Sequence, residues 1–153
     1  LHPHHPNEEV TMKLHSVLIV DDNPDDRYLL RRLLRRAKLA EHVFEAENGQ
    51  EALAFFTDRA AQERRFGEHF PPMVVFLDIN MPLIGGFEFL ERFKELRAAQ
   101  GYTSTVIMMF SSSERPEEHE RASAYSFVKG FITKLPNGAD DLRAQVAQAL
   151  AQG

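Results

Sequence analysis

Cysteine is absent from the 153 residues. That excludes a disulfide scaffold, a thiol nucleophile and a cysteine zinc site. No apolar run approaches the roughly 18–20 residues that span a bilayer. No secretory apolar core precedes the first strand-like segment, so the cytoplasm, away from membranes, is the expected location. A basic excess is also missing: 18 Lys and Arg stand against 23 Asp and Glu, a formal net charge of −5. That balance argues against a general nucleic-acid binder. What is present is apolar material, 43% of the residues with 12 Phe among them. It is enough for one core in a chain of this length and excludes disorder of the whole.

Residues 1–13 read as a disordered tail. His2, Pro3, His4, His5, Pro6 and Asn7 follow no helical or strand period. Three histidines this close suit a transition metal, but such segments are more often expression remnants. Met12 is a candidate start. Residues 14–153 then read as a single domain.

Val17-Leu18-Ile19-Val20 is a short β-branched apolar run, the mark of a buried parallel strand. Pro24 suits the first turn of a helix carrying Leu30, Leu33, Leu34 and Ala37. Val43 to Ala46 is a second strand, Asn48-Gly49 a turn, and Ala52, Leu53, Phe56 and Ala60 continue as one helix to about Arg65. After a loop from Gly67 to Pro72, Met73 to Leu77 is a central strand, followed by a helix through Phe89, Leu90, Phe93 and Leu96. Val106 to Phe110 is a fourth strand, Pro116-Glu117-Glu118 opens helix 4, Val128 to Thr133 is strand 5, and Leu142, Val146, Ala149 and Leu150 mark helix 5. Five strands alternating with five helices predict an α/β fold: a doubly wound five-stranded parallel sheet, flavodoxin-like (βα)5, with strand order 2-1-3-4-5.

In such a sheet ligands bind beyond the carboxyl ends of the strands. Those ends carry Asp21 and Asp22, Asp78 with Asn80 two residues on, Ser111, and Lys134. Three carboxylates on one rim repel, at roughly 4 kcal/mol per pair about 4 Å apart. A hard divalent cation such as Mg²⁺ and the Lys134 ammonium offset this. Acids, metal, lysine and a Ser111 hydroxyl together suit a phosphoryl group. Asp78, after the most central strand, is the candidate nucleophile for an aspartyl phosphate, with Asp21 and Asp22 holding the metal.

Four stretches carry a resemblance: Val17 to Pro24, Glu45 to Leu53, Val75 to Pro82, and Gly130 to Lys134. In order and at strand ends, they resemble the receiver domain of two-component response regulators, over about Leu14 to Leu150. The resemblance implies that Asp78 accepts a phosphoryl group from a sensor histidine kinase or a histidine phosphotransfer protein. It implies Mg²⁺ bound by Asp22, Asp78 and the main-chain carbonyl of Asn80, with Asp21 helping through water. Ser111 and Lys134 bind phosphoryl oxygens, with Ser112 the alternative to Ser111. Asn80 and Ser113 tune dephosphorylation. Phe131 is the switch aromatic, reshaping the face of helix 4, strand 5 and helix 5 for protein–protein signalling. Such a module is a phosphoprotein rather than an enzyme beyond its own Mg²⁺-dependent phosphorylation and dephosphorylation. Its implied partners are the kinase or phosphotransfer protein, a downstream protein target and a second copy of itself.

Two positions depart from the family. Leu135 stands where proline usually follows the lysine, with Pro136 one later, and Gly85-Gly86 replaces Asp-Gly after Pro82, which is expected to loosen that turn. About 17 residues follow Pro136, so a stand-alone module is expected. The alternatives at this point are a flavin or nucleotide binder, an aspartyl-phosphate phosphohydrolase and a receiver that signals without phosphate. The first of these conflicts with the acids after strand 1. Individually the residues have plainer uses. Asp21-Asp22 suits a helix cap, Ser111 to Ser113 suit a cap, and Phe131 suits the core. Six cations between Arg27 and Lys38, with no acid among them, form either a solvated face or a docking surface for an acidic helix.

Overall fold

A computed structural model describes residues 12–112, 115–134 and 136–151. Five strands form one parallel sheet: β1 (Leu14–Val20), β2 (Ala40–Ala46), β3 (Val74–Leu77), β4 (Val106–Ser111) and β5 (Val128–Thr133). Their order is β2-β1-β3-β4-β5, as the alternation predicts. The helices are α1 (Pro24–Arg36), α2 (Gly49–Thr57), α3 (Arg59–Phe66), α4 (Gly86–Gln100), α5 (Pro116–Ser123) and α6 (Ala139–Ala151). A 3₁₀ turn spans Gly67–His69.

The all-apolar strands bury both faces. Leu18, Val20, Val75, Leu77, Ile107 and Met109 enter one core with Ala52, Phe56, Phe89, Leu90, Phe93 and Ala122. Their alternates Val17, Ile19, Val74, Phe76, Met108 and Phe110 enter another with Leu30, Leu33, Leu34, Leu142 and Val146. This is period-two alternation written entirely in apolar residues. Thus α1 and α6 cover one face and α2 to α5 the other. The second face is aromatic: Phe56 meets Phe93 and Tyr102 edge-on at 4.9 and 5.1 Å, and the buried Tyr102 hydroxyl donates to the Phe56 carbonyl at 2.7 Å.

The sequence reading needs three corrections. The helix expected from Ala52 to about Arg65 is two helices, broken at Asp58, whose side chain caps α3 by accepting from Ala61 N at 3.1 Å. Asn48-Gly49 is a helix start rather than a free turn. Asn48 accepts from Glu51 N at 2.8 Å, and a Cβ on Gly49 would collide with the Ile84 carbonyl. Strand β2 begins at Ala40, three residues earlier than expected, because it is an edge strand whose outer half alternates polar residues.

Candidate functional site: the carboxyl rim of the sheet

Parallel pairing brings the ends of β1 and β3 side by side, Val20 opposite Leu77. The next residues, Asp21 and Asp78, therefore leave the sheet together, and Asp78 N donates to the Val20 carbonyl at 2.9 Å. Asp21 is fully buried and Asp78 is 5% exposed, whereas Asp22 is exposed. Oxygens of Asp21, Asp22 and Asp78 lie within 4.8 Å of one another. Neither Asp21 nor Asp22 is the N-cap of α1. That residue is Asn23, which accepts from Asp25 N at 2.8 Å.

Lys134 follows β5 and reaches into this cup. Its Nζ lies 2.9 Å from Asp21 Oδ2, 2.9 Å from Asp26 Oδ2 and 3.4 Å from Asp78 Oδ1. Burial lowers the affinity of this ammonium for its proton. Contacts with Asp21, Asp26 and Asp78 outweigh that and hold it above the ordinary lysine value. Asp78 goes the other way: its carboxyl is pushed up to about 6, first by burial, then by Asp21, with Lys134 pulling back and Asp22 adding a little. Burial and the neighbouring carboxylates thus bring the titration of Asp78 toward neutral pH.

Asp26 is the residue that sequence reasoning missed. It is the third residue of α1 and looks like an ordinary first-turn acid, while its partner is 108 residues away. Arg27 does more than extend a basic run. Its Nη1 donates to the Asp21 carbonyl at 2.6 Å and its Nε meets Glu45 at 3.1 Å, fixing the β1–α1 turn to β2. Arg31 also pairs with Glu45, so the described basic face free for a partner narrows to the exposed Arg32, Arg35, Arg36 and Lys38.

Ser111 is the last residue of β4, buried beside Thr133, and its carbonyl accepts from Lys134 N at 3.3 Å. Ser112 follows it and is exposed, while Ser113 and Leu135 lie outside the described residues. Asn80 is exposed two residues past Asp78 and lines a cleft of about 610 Å³ with Gly85, Gly86, Phe87 and Arg121. Gly86 closes the turn rather than loosening it. Its N–H donates to the Ile79 carbonyl at 2.8 Å, and a Cβ there would stand 2.6 Å from the Asp78 carbonyl. Phe131 is half-buried on β5, face to face with His119 of α5 at a centroid distance of 3.6 Å.

The family model for the response regulator receiver domain matches residues 17–147. The chain belongs to that family. This receiver is 32% identical over 138 residues to the virulence sensor protein BvgS of Bordetella pertussis, a match that covers 89% of this chain and 10% of that protein. The chain thus spans a tenth of that relative's length. Among solved structures, a two-component response regulator from Cytophaga hutchinsonii shares the fold with a TM-score of 0.73 at 24% identity, over 91% of this receiver and 98% of that chain. The receiver domain of the histidine kinase CKI1 from Arabidopsis thaliana, complexed with Mg²⁺ and BeF₃⁻, gives 0.75 at 22% identity over 95% and 96%. Among this receiver's described residues, no helix is long and apolar enough to cross a membrane.

The residues present fit a hard divalent cation. All three convergent groups are carboxylates, and the buried Asp21 Oδ2 has no aligned hydrogen-bond donor despite its close ion contact with Lys134. Oxygen-only donors with spare acceptor capacity are what Mg²⁺ takes.

Proposed function

We propose that this receiver is a phospho-acceptor signalling module in which Asp78 takes the phosphoryl group. One observation carries the reading: Asp78 stands within ligand distance of Asp21 and Asp22 while Lys134 Nζ lies 3.4 Å from its Oδ1. An Asp78 oxygen attacks the phosphorus of a phosphohistidine. The phosphorus–nitrogen bond breaks with its electron pair on the imidazole nitrogen, which leaves as a neutral ring when its other nitrogen carries a proton. Asp22, Asp78 and the Asn80 carbonyl would hold Mg²⁺, with Asp21 helping through water, and the ion would supply charge neutralisation for the transferring oxygens. Lys134 and Ser111 bind phosphoryl oxygens, with Ser112 as the alternative to Ser111, and Asn80 and Ser113 tune how fast the aspartyl phosphate is lost. Capture of a phosphoryl oxygen by Lys134 draws it from Asp26 and Asp21, which couples the event to α1 and β5.

The donor is a sensor histidine kinase or a histidine phosphotransfer protein. Tyr28 on α1 and Leu83 after β3 support docking at this rim, being 53% and 71% exposed although large and apolar. Output is through Phe131 and the face of α5, β5 and α6, toward a downstream protein or a second copy, in the cytoplasm. The test is beryllofluoride, a phosphoryl stand-in, added with Mg²⁺. Backbone amide resonances around Asp78, Ser111 and Lys134 should shift together in wild type and stay put in Asp78→Asn. Equal shifts in both proteins would remove Asp78 as the acceptor.

A further inference from the structure

The opposite rim of the sheet holds a second cluster that the phosphoryl chemistry does not use. His15 at the start of β1, His42 on β2 and His69 at the end of the 3₁₀ turn meet as a stack. His69 is central: its ring lies 4.3 Å from that of His42 with an 11° interplanar angle, and 5.5 Å from that of His15 at 22°. The three rings come from three segments and join them. His15 Nε2 lies 2.7 Å from the Glu68 carbonyl. Ser16 Oγ donates to the His69 carbonyl at 2.6 Å, and Met73 N donates to the Ser16 carbonyl at 2.8 Å. Behind the stack, Phe44 meets His42 edge-on at 4.5 Å. The rings are parallel rather than convergent on a point, so the arrangement is a stack and not a chelate.

Parallel neutral imidazoles attract, whereas parallel imidazoliums at these distances repel. At the centre of the stack, His69 Nδ1 is buried and has no hydrogen-bond partner among the described residues. A proton placed there would be a buried donor without an acceptor. Several charges on these segments are engaged elsewhere. Lys13 pairs with Glu41 at 3.3 Å, Glu45 faces Arg27 and Arg31, and Arg65 leans on the Phe66 ring at 4.9 Å. Arg64 and Glu68 are exposed. His42 is held below the ordinary histidine value, first by burial and then by His69 and His15.

We propose that this stack is an acid-sensitive clasp. With its rings neutral it ties β1 and edge strand β2 to the turn at residues 67–73, and protonation of the rings opens that tie. The turn leads directly into β3, four residues of which separate it from Asp78. Because His42 is held below its ordinary value of 6.5, its part of the tie is complete above that pH and is lost as pH falls through the lowered value.

Hydrogen-exchange protection of amides 40–44 and 68–73, measured on the full chain at pH 7.5 and 5.5, tests this. An Asp78→Asn background removes the carboxyl that titrates at the other rim. Protection should fall by up to roughly tenfold on acidification and by twofold or less in His42→Gln and His69→Gln. The same fall in those variants, or no fall in the starting protein, would overturn the clasp. Should the variants not fold, proton NMR titration of the unmutated histidines decides. Coupled curves, with His42 titrating below the ordinary histidine range, support the clasp, and three independent ordinary curves overturn it.

Discussion

The two rims of this sheet use ionisable groups in opposite ways. At the carboxyl rim four acids crowd one ammonium, and Asp21, Asp26 and Asp78 all lie within 3.4 Å of Lys134 Nζ. At the amino rim three imidazoles from separate segments stack face to face. The carboxyl rim is therefore charged and only partly compensated, while the amino rim stays intact only as long as it is uncharged. Burial acts on both, raising Asp78 and lowering His42. A fold that gathers acids at one end and imidazoles at the other separates its candidate cation site from the proposed clasp.

The largest expected effect breaks the carboxyl rim at its centre. Lys134→Met removes the ammonium that Asp21, Asp26 and Asp78 share. In metal-free buffer at pH 7.5 it should destabilise the protein by about 3 kcal/mol or more in urea unfolding, with Mg²⁺ restoring part of the loss. Unchanged stability would mean that the acids do not depend on Lys134.

Next comes Asp78→Asn, with the opposite sign. The Asp78 carboxyl rises from 3.8 to about 6 on folding, so its contribution to stability is complete below pH 3.8 and is lost as pH rises through 6. At pH 7.5 the metal-free variant should be more stable than wild type, by about 1–3 kcal/mol. The gain should shrink toward pH 4. A variant no more stable than wild type at pH 7.5 would show that the rim is not strained.

The smallest effect on stability sharpens the comparison by leaving both rims intact. Arg32 and Arg35, each changed to Glu, lie exposed on α1, outside the Arg27–Glu45–Arg31 cluster. Unfolding should move by no more than about 1 kcal/mol. Phosphotransfer from a protein donor should slow while phosphorylation by a small donor is spared. Equal slowing with both donors would reject docking as the cause.

Much of the carboxyl rim was legible in the sequence. Each apolar run ends where the sheet ends, so Asp21, Asp78, Ser111 and Lys134 could be placed on one rim without knowing any distance. Asp26 could not, because a helix first-turn acid has the same local appearance whether it faces water or Lys134. The break at Asp58 was hidden because Ala60 prolongs the apolar period of α2, while the cap that restarts the helix is a single side chain. The amino rim was illegible for a related reason. His15, His42 and His69 sit at polar positions of strand starts and a turn, where composition says only that they are near the surface. Register and turn geometry bring their rings together. The loop after Pro82 misled through Gly85-Gly86, since the need for Gly86 comes from the Asp78 carbonyl pressed against it.

The most direct measurement is the intact mass of wild type and Asp78→Asn after incubation with phosphoramidate, with and without Mg²⁺. A gain of about 80 Da, one phosphoryl group, is predicted for wild type with Mg²⁺ alone. The same gain on Asp78→Asn, or on wild type stripped of Mg²⁺, would contradict the assignment of the carboxyl rim.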